Sequence, residues 1–570
     1  MNVRKVFRKD LIQSYFKKKF RFDLIAGLTV AMIAVPQTMA YAAIVGVNPI
    51  YGLYAAILPA IVGAIFGSSA FLVTGPTNAI ALATAGTLLL YSSRPNFLEY
   101  VFVVAIISGV IRLLLGLLRL GGIIRYVSNA VLTGFITGAG FLIILNQIPN
   151  LTGISRSVTG DAFHVLRNVF FQIPEINVYV FLIGLLSIVL LRALKSLGNR
   201  VPAELITIII CSFLVRLTGW HQNGVIIVGD LGSITKEGLH FHIPGIKVAD
   251  YFDLIVGSGA VALLSLVETT SVSKMFSNQN GQRFNPAREF IGQGLASIVS
   301  GFFMGLPTGG SPSRTAVNHS SGAKTRAAAI FSGVSVLIAL LVFSRWISFI
   351  PMASLAGVVM VSAAGLIDIE HIKGTWRTKM DSKVVLLTTL LSTLFLPIQF
   401  AIYLGALLSI ILYLSQSSHL VLTYLSANAD GSIVEHDLKD LEEIKPQIAV
   451  INVEGNLYFA AIDELEQNIN KIIQSNVSVI ILRLRRSRLI ASTAVMALQA
   501  LIAKAHAEDT MIFLCGVTED AEDVFRSSGV FDEVGRENIF FANQFLYEST
   551  HDAINAAKQY LAYDKLISKK

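Results

Sequence analysis

The sequence predicts a polytopic α-helical membrane domain followed by a small soluble α/β domain, and two observations carry that division. Of 570 residues, 54% are apolar and only 14% charged, where an ordinary soluble protein carries about a quarter. The charge is also unevenly placed. Residues 1–420 hold 31 Lys and Arg against 15 Asp and Glu, a net of +16, whereas residues 421–570 hold 14 against 22, a net of −8. The overall +8 is therefore not a basic soluble surface, and nucleic acid is excluded as a partner. The two lone cysteines, Cys211 and Cys515, exclude a disulfide scaffold and a cysteine-built metal site. The division expected is a basic N-terminus over residues 1–22, a transmembrane domain over 23–419 and a cytoplasmic domain over 420–570.

Measured against a hydrocarbon core of about 30 Å, the apolar runs give full-length spans starting near Leu24, Ile50, Tyr100, Ile123, Val178, Leu205, Leu254, Phe290, Ala327, Trp346, Val384 and Ile398. Two shorter segments follow Thr74-Gly75-Pro76 and Thr308-Gly309-Gly310-Ser311-Pro312, making 14 membrane segments. The first span is long and has no cleavage signal, which argues against a secretory leader. Eight Lys or Arg crowd residues 1–21, namely Arg4, Lys5, Arg8, Lys9, Lys17, Lys18, Lys19 and Arg21. With that end cytoplasmic, Arg119, Arg125, Arg192, Lys195, Arg200, Lys274, Arg283, Arg288, Lys324, Arg326, Lys373 and Arg377 fall on the same side, as the positive-inside rule requires. The protein is thus expected in the cell (inner or plasma) membrane with both termini cytoplasmic. The basic N-terminus also suits anionic lipid headgroups.

Two ionisable residues stand out at membrane depth, Glu268 and Arg314. A charge buried in a bilayer costs several kcal/mol, so such residues point to function, the alternative being an ion pair that holds helices together. Pro76 and Pro312 lack an N–H and suit the first turn of a helix that starts inside the membrane. Each such start exposes unpaired N–H groups carrying about half a positive charge, a place for an anion. The broken segments also recur. Gln37 and Glu268 stand 231 residues apart, and Thr74-Gly75 and Thr308-Gly309 stand 234 apart, the pattern of a transporter built from inverted repeats.

These residues carry a family resemblance. Asp23-Leu-Ile-Ala-Gly-Leu-Thr-Val, Val35-Pro36-Gln37-Thr38-Met39-Ala40-Tyr41-Ala42 and Tyr51-Gly52-Leu53-Tyr54 resemble the first two spans of the sulfate permease (SulP) anion transporters. Thr74-Gly75-Pro76-Thr77-Asn78 resembles their third segment, Asn285 to Ser300 their ninth, and Ser313-Arg314-Thr315-Ala316-Val317-Asn318 their tenth. The resemblance implies seven plus seven inverted segments divided into a core and a gate, an elevator-type movement between them, and a homodimer. Carried over, it implies a substrate site of Gln37, Tyr41, Thr77, Asn78, Ser313 and Arg314, with Glu268 as the coupling residue. Gln37 and Ser313 would donate to anion oxygens, and the Tyr41 ring edge would close one side. Gln37 and Tyr41 as interhelical glue is the competing reading.

In the C-terminal part, short apolar strands at Ile448–Val453, Val477–Leu484 and Met511–Gly516 alternate with helices at Ser492–Ala507 and Asp520–Ser528, a small layered α/β fold. In a SulP-like chain this is the STAS domain. Related anti-sigma-factor antagonists carry an Asp-Ser-x-Gly phosphorylation motif, but here the stretch reads Ile490-Ala491-Ser492-Thr493-Ala494. Ser492 is accordingly expected to be a helix N-cap. The cluster of Arg483, Arg485, Arg486 and Arg488 is expected to be a solvated or membrane-contacting face.

No Walker motif, nucleophile elbow, paired catalytic carboxylates or His/Cys cluster points to ATP-driven transport or to an enzyme, and no cofactor or metal is implied. The expectation is a secondary active transporter of an inorganic or small organic anion, coupled to protons or sodium. Two half-helix ends and Arg314 together supply about +2. With Glu268 ionised the site suits chloride or bicarbonate; with Glu268 protonated it suits sulfate or a dicarboxylate. Proton-coupled sulfate uptake is favoured. Sodium-coupled bicarbonate transport, a chloride or dicarboxylate carrier, and an uncoupled channel remain as alternatives.

Overall fold

The computed structural model describes residues 15–567 apart from 17, 121, 123–127, 155–161, 199–200, 232–237, 280–283, 418–419, 428–432, 445, 458 and 476. Of the orienting basic residues, Arg4, Lys5, Arg8, Lys9, Lys17, Arg125, Arg200 and Arg283 lie outside the described residues. The chain divides into two compact units, Met1–Ile410 and Ile411–Lys570.

The first unit runs through α1 (Phe20–Val45), α2 (Ile50–Phe66), β1 (Thr74–Gly75), α3 (Asn78–Thr87), α4 (Phe97–Leu117), α5 (Asn129–Thr152), α6 (Ala162–Phe171), α7 (Val178–Ser196) and α8 (Ala203–Thr218). It continues with α9 (Val248–Gln279), α10 (Pro286–Phe302), β2 (Gly309–Gly310), α11 (Pro312–Ser320), α12 (Ala327–Ile347), α13 (Met352–Ala364), α14 (Ile369–Trp376), α15 (Met380–Phe395) and α16 (Ile398–Ser417). Setting aside the short connecting helices α6 and α14, seven segments up to α8 are repeated by seven from α9. In each half the third member is a short helix preceded by a two-residue strand.

Among the described residues, seven helices are long and apolar enough to cross a membrane by length and composition, so several of the full-length spans expected from the apolar runs are shorter than a bilayer is thick. The expected start at Ile123 moves to Asn129, where the Ser128 side chain caps the helix by accepting from Val131 N–H. Trp346 belongs to the end of α12, and the next helix starts after Pro351. Apolar runs continue through such breaks, and only caps and prolines mark them.

Two packing groups form. Helices α1–α4 pack with α9–α12, the most extensive pairs being α4 with α10 and α1 with α12; α5 and α7 pack with α13, α5 also with α15. These are the core and the gate of the fold. The α4–α10 approach depends on glycine: a Cβ on Gly109 would lie 2.8 Å from the Gly294 carbonyl oxygen, and one on Gly294 equally close to that of Gly109. In a membrane, where lipid tails are as apolar as Leu, such close backbone contact is what holds helices together.

The second unit comprises β3 (Val421–Ala427), β4 (Ile433–Asp437), α17 (Asp440–Ile444), β5 (Ile448–Leu457), α18 (Phe459–Ile473), β6 (Val479–Ile490), α19 (Ser492–Ala507), β7 (Met511–Val517), α20 (Glu519–Ser528), α21 (Val530–Val534), β8 (Ile539–Phe541) and α22 (Glu548–Ile567). Its sheet order is β4-β3-β5-β6-β7-β8. β5 to β8 are parallel, and β3 runs antiparallel to both β4 and β5. Apolar side chains of α18 and α19 cover one face of the sheet, and Ala553 and Ala557 of α22 the other. Parallel strands covered on both faces read as unbroken apolar runs, which is why the three central strands are legible in the sequence.

Candidate functional site

The two broken segments meet. β1 and β2 pair antiparallel, Thr74 opposite Gly310 and Gly75 opposite Gly309, and Ser311 N–H adds a hydrogen bond to the Val73 carbonyl at 3.0 Å. From this ribbon α3 and α11 depart, 10 and 9 residues long. At about 1.5 Å per residue each reaches roughly half the hydrocarbon thickness. Both are capped by their own sequence. Thr77 accepts from Ile80 N–H and Ser311 from Arg314 N–H. Pro312 is the first residue of α11, as expected, but Pro76 is not in the first turn of α3. It precedes the Thr77 cap, and its carbonyl is used instead: Arg314 Nη2 donates to Pro76 O at 2.6 Å.

That bond brings a cation of the second half onto the entry of the first half-helix. Gly75 makes room for it, since a Cβ there would lie 2.5 Å from Arg314 Nη1. Thr77 Oγ1 donates to Glu268 Oε2 at 2.9 Å, tying α9 to the same entry. Ser313 Oγ stands 3.5 Å from Gln37 Oε1, at the outer limit of a hydrogen bond. It is exposed, whereas Ser311 and Arg314 beside it are buried. Asn78 and Tyr41 are buried too. Arg314 is 1% exposed, and its Nε has no hydrogen-bond partner among the described residues. Glu268 and Arg314 do not form the salt bridge of the helix-holding alternative. Each is bonded instead to the Pro76-Thr77 corner.

Inspection of the sequence singles out two intramembrane charges; the fold buries more. Arg112, on α4, is 0% exposed. It donates from Nη1 to Ser265 Oγ at 2.6 Å and to the Thr308 carbonyl, and from Nε to Ser108 O at 3.1 Å. The intramembrane-charge rule applies to it equally, but five residues from the end of α4 it reads as a span-end charge. Glu289 is also buried. Its Oε2 accepts from Ser68 and Ser69 N–H at 2.7 and 2.9 Å, and its Oε1 from Gln293, which also donates to Thr74 Oγ1. Asp23 does the same for the loop before α12, accepting from Lys324 and Thr325 N–H. These carboxylates hold loops, Glu289 the one before β1 and Asp23 the one between α11 and α12.

The chain matches the sulfate permease family over residues 20–388. It belongs to that family. It is therefore a multi-pass membrane transporter of anions and not an enzyme. A STAS domain matches residues 442–553. Among similar proteins, the putative sulfate transporter YvdB of Bacillus subtilis is 27% identical over 531 residues, covering 93% of this chain and 97% of YvdB. The murine Solute Carrier 26 family member A9 anion transporter, solved in the inward-facing state, superposes with a TM-score of 0.87 at 20% identity over 95% of this chain and 92% of its own. The transmembrane domain of the cyanobacterial bicarbonate transporter BicA matches with a TM-score of 0.59 at 20% identity, covering 68% of this chain and 97% of that domain. These two likenesses establish the fold.

Within the STAS domain of this sulfate permease family member, two expectations are corrected. Ser492 is not a cap. Ala491 holds the N-cap position without a side-chain bond, and Ser492 is the first helical residue. The solvated face expected of the arginines holds only in part, since Arg486 is exposed and Arg485 half-buried. Arg483 is 3% exposed and donates to Asn452 Oδ1, Thr550 Oγ1 and Leu546 O, with its guanidinium over the Tyr547 ring. Arg485 donates to the carbonyls of Asn543 and Phe545, and Arg486 pairs with Glu454. The cluster stitches β6 to the stretch before α22 and to β5. The Arg488 side chain lies outside the described residues.

Proposed function

We propose that this chain is a secondary active transporter that takes up sulfate together with protons, in the cell membrane with both termini cytoplasmic. The transport domain is assigned to residues 23–419 and the STAS domain to 420–570, and the carrier works as a homodimer among membrane lipids. The anion is held between the N-termini of α3 and α11. Arg314 supplies the fixed charge, Gln37, Thr77, Asn78 and Ser313 supply polar contacts, and Tyr41 closes one side. The observation that carries this is a buried arginine in the first turn of one half-helix, bonded to the residue that precedes the cap of the other. An anion there meets a guanidinium and two positive helix ends in a low-dielectric setting, where charge counts most. YvdB, similar over nearly its whole length, is described as a putative sulfate transporter and supports the choice of anion.

Glu268 is the coupling residue in this reading. An anion bound beside it favours its protonated form, and linkage makes the effect reciprocal. Alternating access follows an elevator movement of the core group against the gate group, which meet where α1 packs on α13 and α8. The second reading is sodium-coupled bicarbonate transport, favoured by the fold shared with BicA. Radiolabelled uptake into proteoliposomes, with imposed proton or sodium gradients, tests both. Sulfate accumulation that rises when the outside is acidified supports proton coupling. Bicarbonate uptake driven by sodium overturns it, and flux that ignores both gradients overturns the coupled carrier altogether.

A further inference from the structure

Among the described residues, Arg112 is a full charge without a carboxylate partner. Buried on α4, it makes no salt bridge with a described residue, and its Nη2 has no hydrogen-bond partner among them. Its Nη1 reaches the Thr308 carbonyl and Ser265 Oγ, and Ser265 itself donates to Thr308 O at 3.1 Å. Thr308 leads directly into β2. Its neighbour Gly309 pairs with Gly75, and Gly75 is packed against Arg314. The two buried guanidiniums thus adjoin one two-residue ribbon, Arg314 through Gly75 and Pro76, Arg112 through Thr308. Ser265 also stands three residues before Glu268 on α9, so both occupy one helix face. Next in line, Thr269 Oγ1 accepts from Gly310 N–H at 2.9 Å.

A purely mechanical brace for the Thr308 carbonyl would not need a charge, because a neutral amide makes the same bond. A buried guanidinium is costly to keep unpaired, and what distinguishes it from an amide is its field. Coulomb energy is linear in the charge of the ion that feels it. The same cation therefore stabilises a divalent anion twice as strongly as a monovalent one at the same place. We propose that Arg112 is a specificity-determining residue, whose charge behind the ribbon makes the site favour divalent over monovalent anions. The proposal rests on the anion site assigned above.

The test uses the full-length chain in proteoliposomes, reading radiolabelled sulfate uptake with chloride, nitrate and bicarbonate as competitors. In Arg112→Gln, sulfate affinity should fall about 30-fold and that for a monovalent competitor about 5-fold, the doubled logarithm that a charge effect requires. Arg112→Lys should keep the divalent-to-monovalent ratio within about twofold, even if the rate drops. Equal losses for both classes in Arg112→Gln, or an unchanged ratio, would overturn the proposal. If the Gln variant does not assemble, Arg112→Lys decides alone, since collapse of the ratio with the charge retained has the same force. A native protein that carries monovalent anions and ignores sulfate sinks the proposed function before any variant is made. A native sulfate carrier whose variants fail these ratios sinks only this inference.

Discussion

Buried arginines do different work in the two units. In the STAS domain, Arg483 has a partner at each of its three nitrogens and an aromatic ring against its face. In the membrane unit, Arg314 leaves Nε and Arg112 leaves Nη2 without any among the described residues. A guanidinium carries five donors, and burying one unpaired is costly. The satisfied arginine is a rivet. The unsatisfied ones keep positive charge available, which a domain that only has to fold would not retain. Exposure does not separate the cases, as all three are at most 3% exposed; what separates them is the completeness of their bonding.

The comparison can be broken in several ways. The largest effect is expected at Arg314. Arg314→Ala should lower anion affinity or transport about 100-fold or more, the cost of removing a buried charge-assisted contact, while the protein still assembles as a monodisperse species in detergent. Assembly lost with no measurable carrier left would return Arg314 to the rivets. Next is Glu268→Gln, which mimics the protonated acid. Uptake should lose its response to outside acidification while anion exchange persists. In the native chain, uptake should rise as outside pH falls, because protonation removes a negative charge beside the anion; a flat pH response would detach Glu268 from coupling.

The opposite signature is expected at Arg483. Arg483→Met should destabilise the STAS domain by about 3 kcal/mol, leaving Asn452, Leu546 and Thr550 with unmet bonds. Calorimetry of the full chain should report the loss, and the order in which anions compete for transport should not change. A changed order would mean the STAS arginine is more than a rivet. The smallest effect belongs to Ser492→Ala, expected within about 0.5 kcal/mol because the hydroxyl caps nothing. Phosphate found on Ser492, with an accompanying change in transport, would contradict the reading of the broken motif.

Sequence alone determined that an apolar membrane domain is followed by a charged α/β domain, since apolar composition and charge density change along the chain and need no contacts to be read. It also determined that two segments are broken, because Pro and Gly restrict the backbone locally, and the positions of the central STAS strands, which are buried on both faces. Glu268 and Arg314 were legible because a lone charge in an apolar run has few explanations. Tertiary structure decided the rest. Only the pairing of Thr74-Gly75 with Gly309-Gly310 puts Arg314 on the Pro76 carbonyl, 238 residues away, and nothing local in either segment announces it. Arg112 looked like a span-end charge until α4 packed on α9 and α10 and closed it off from solvent. Ser492 looked like a cap until the helix began at it rather than after it. Local chemistry fixes backbone propensity, whereas the partner of a long side chain depends on which distant backbone arrives beside it.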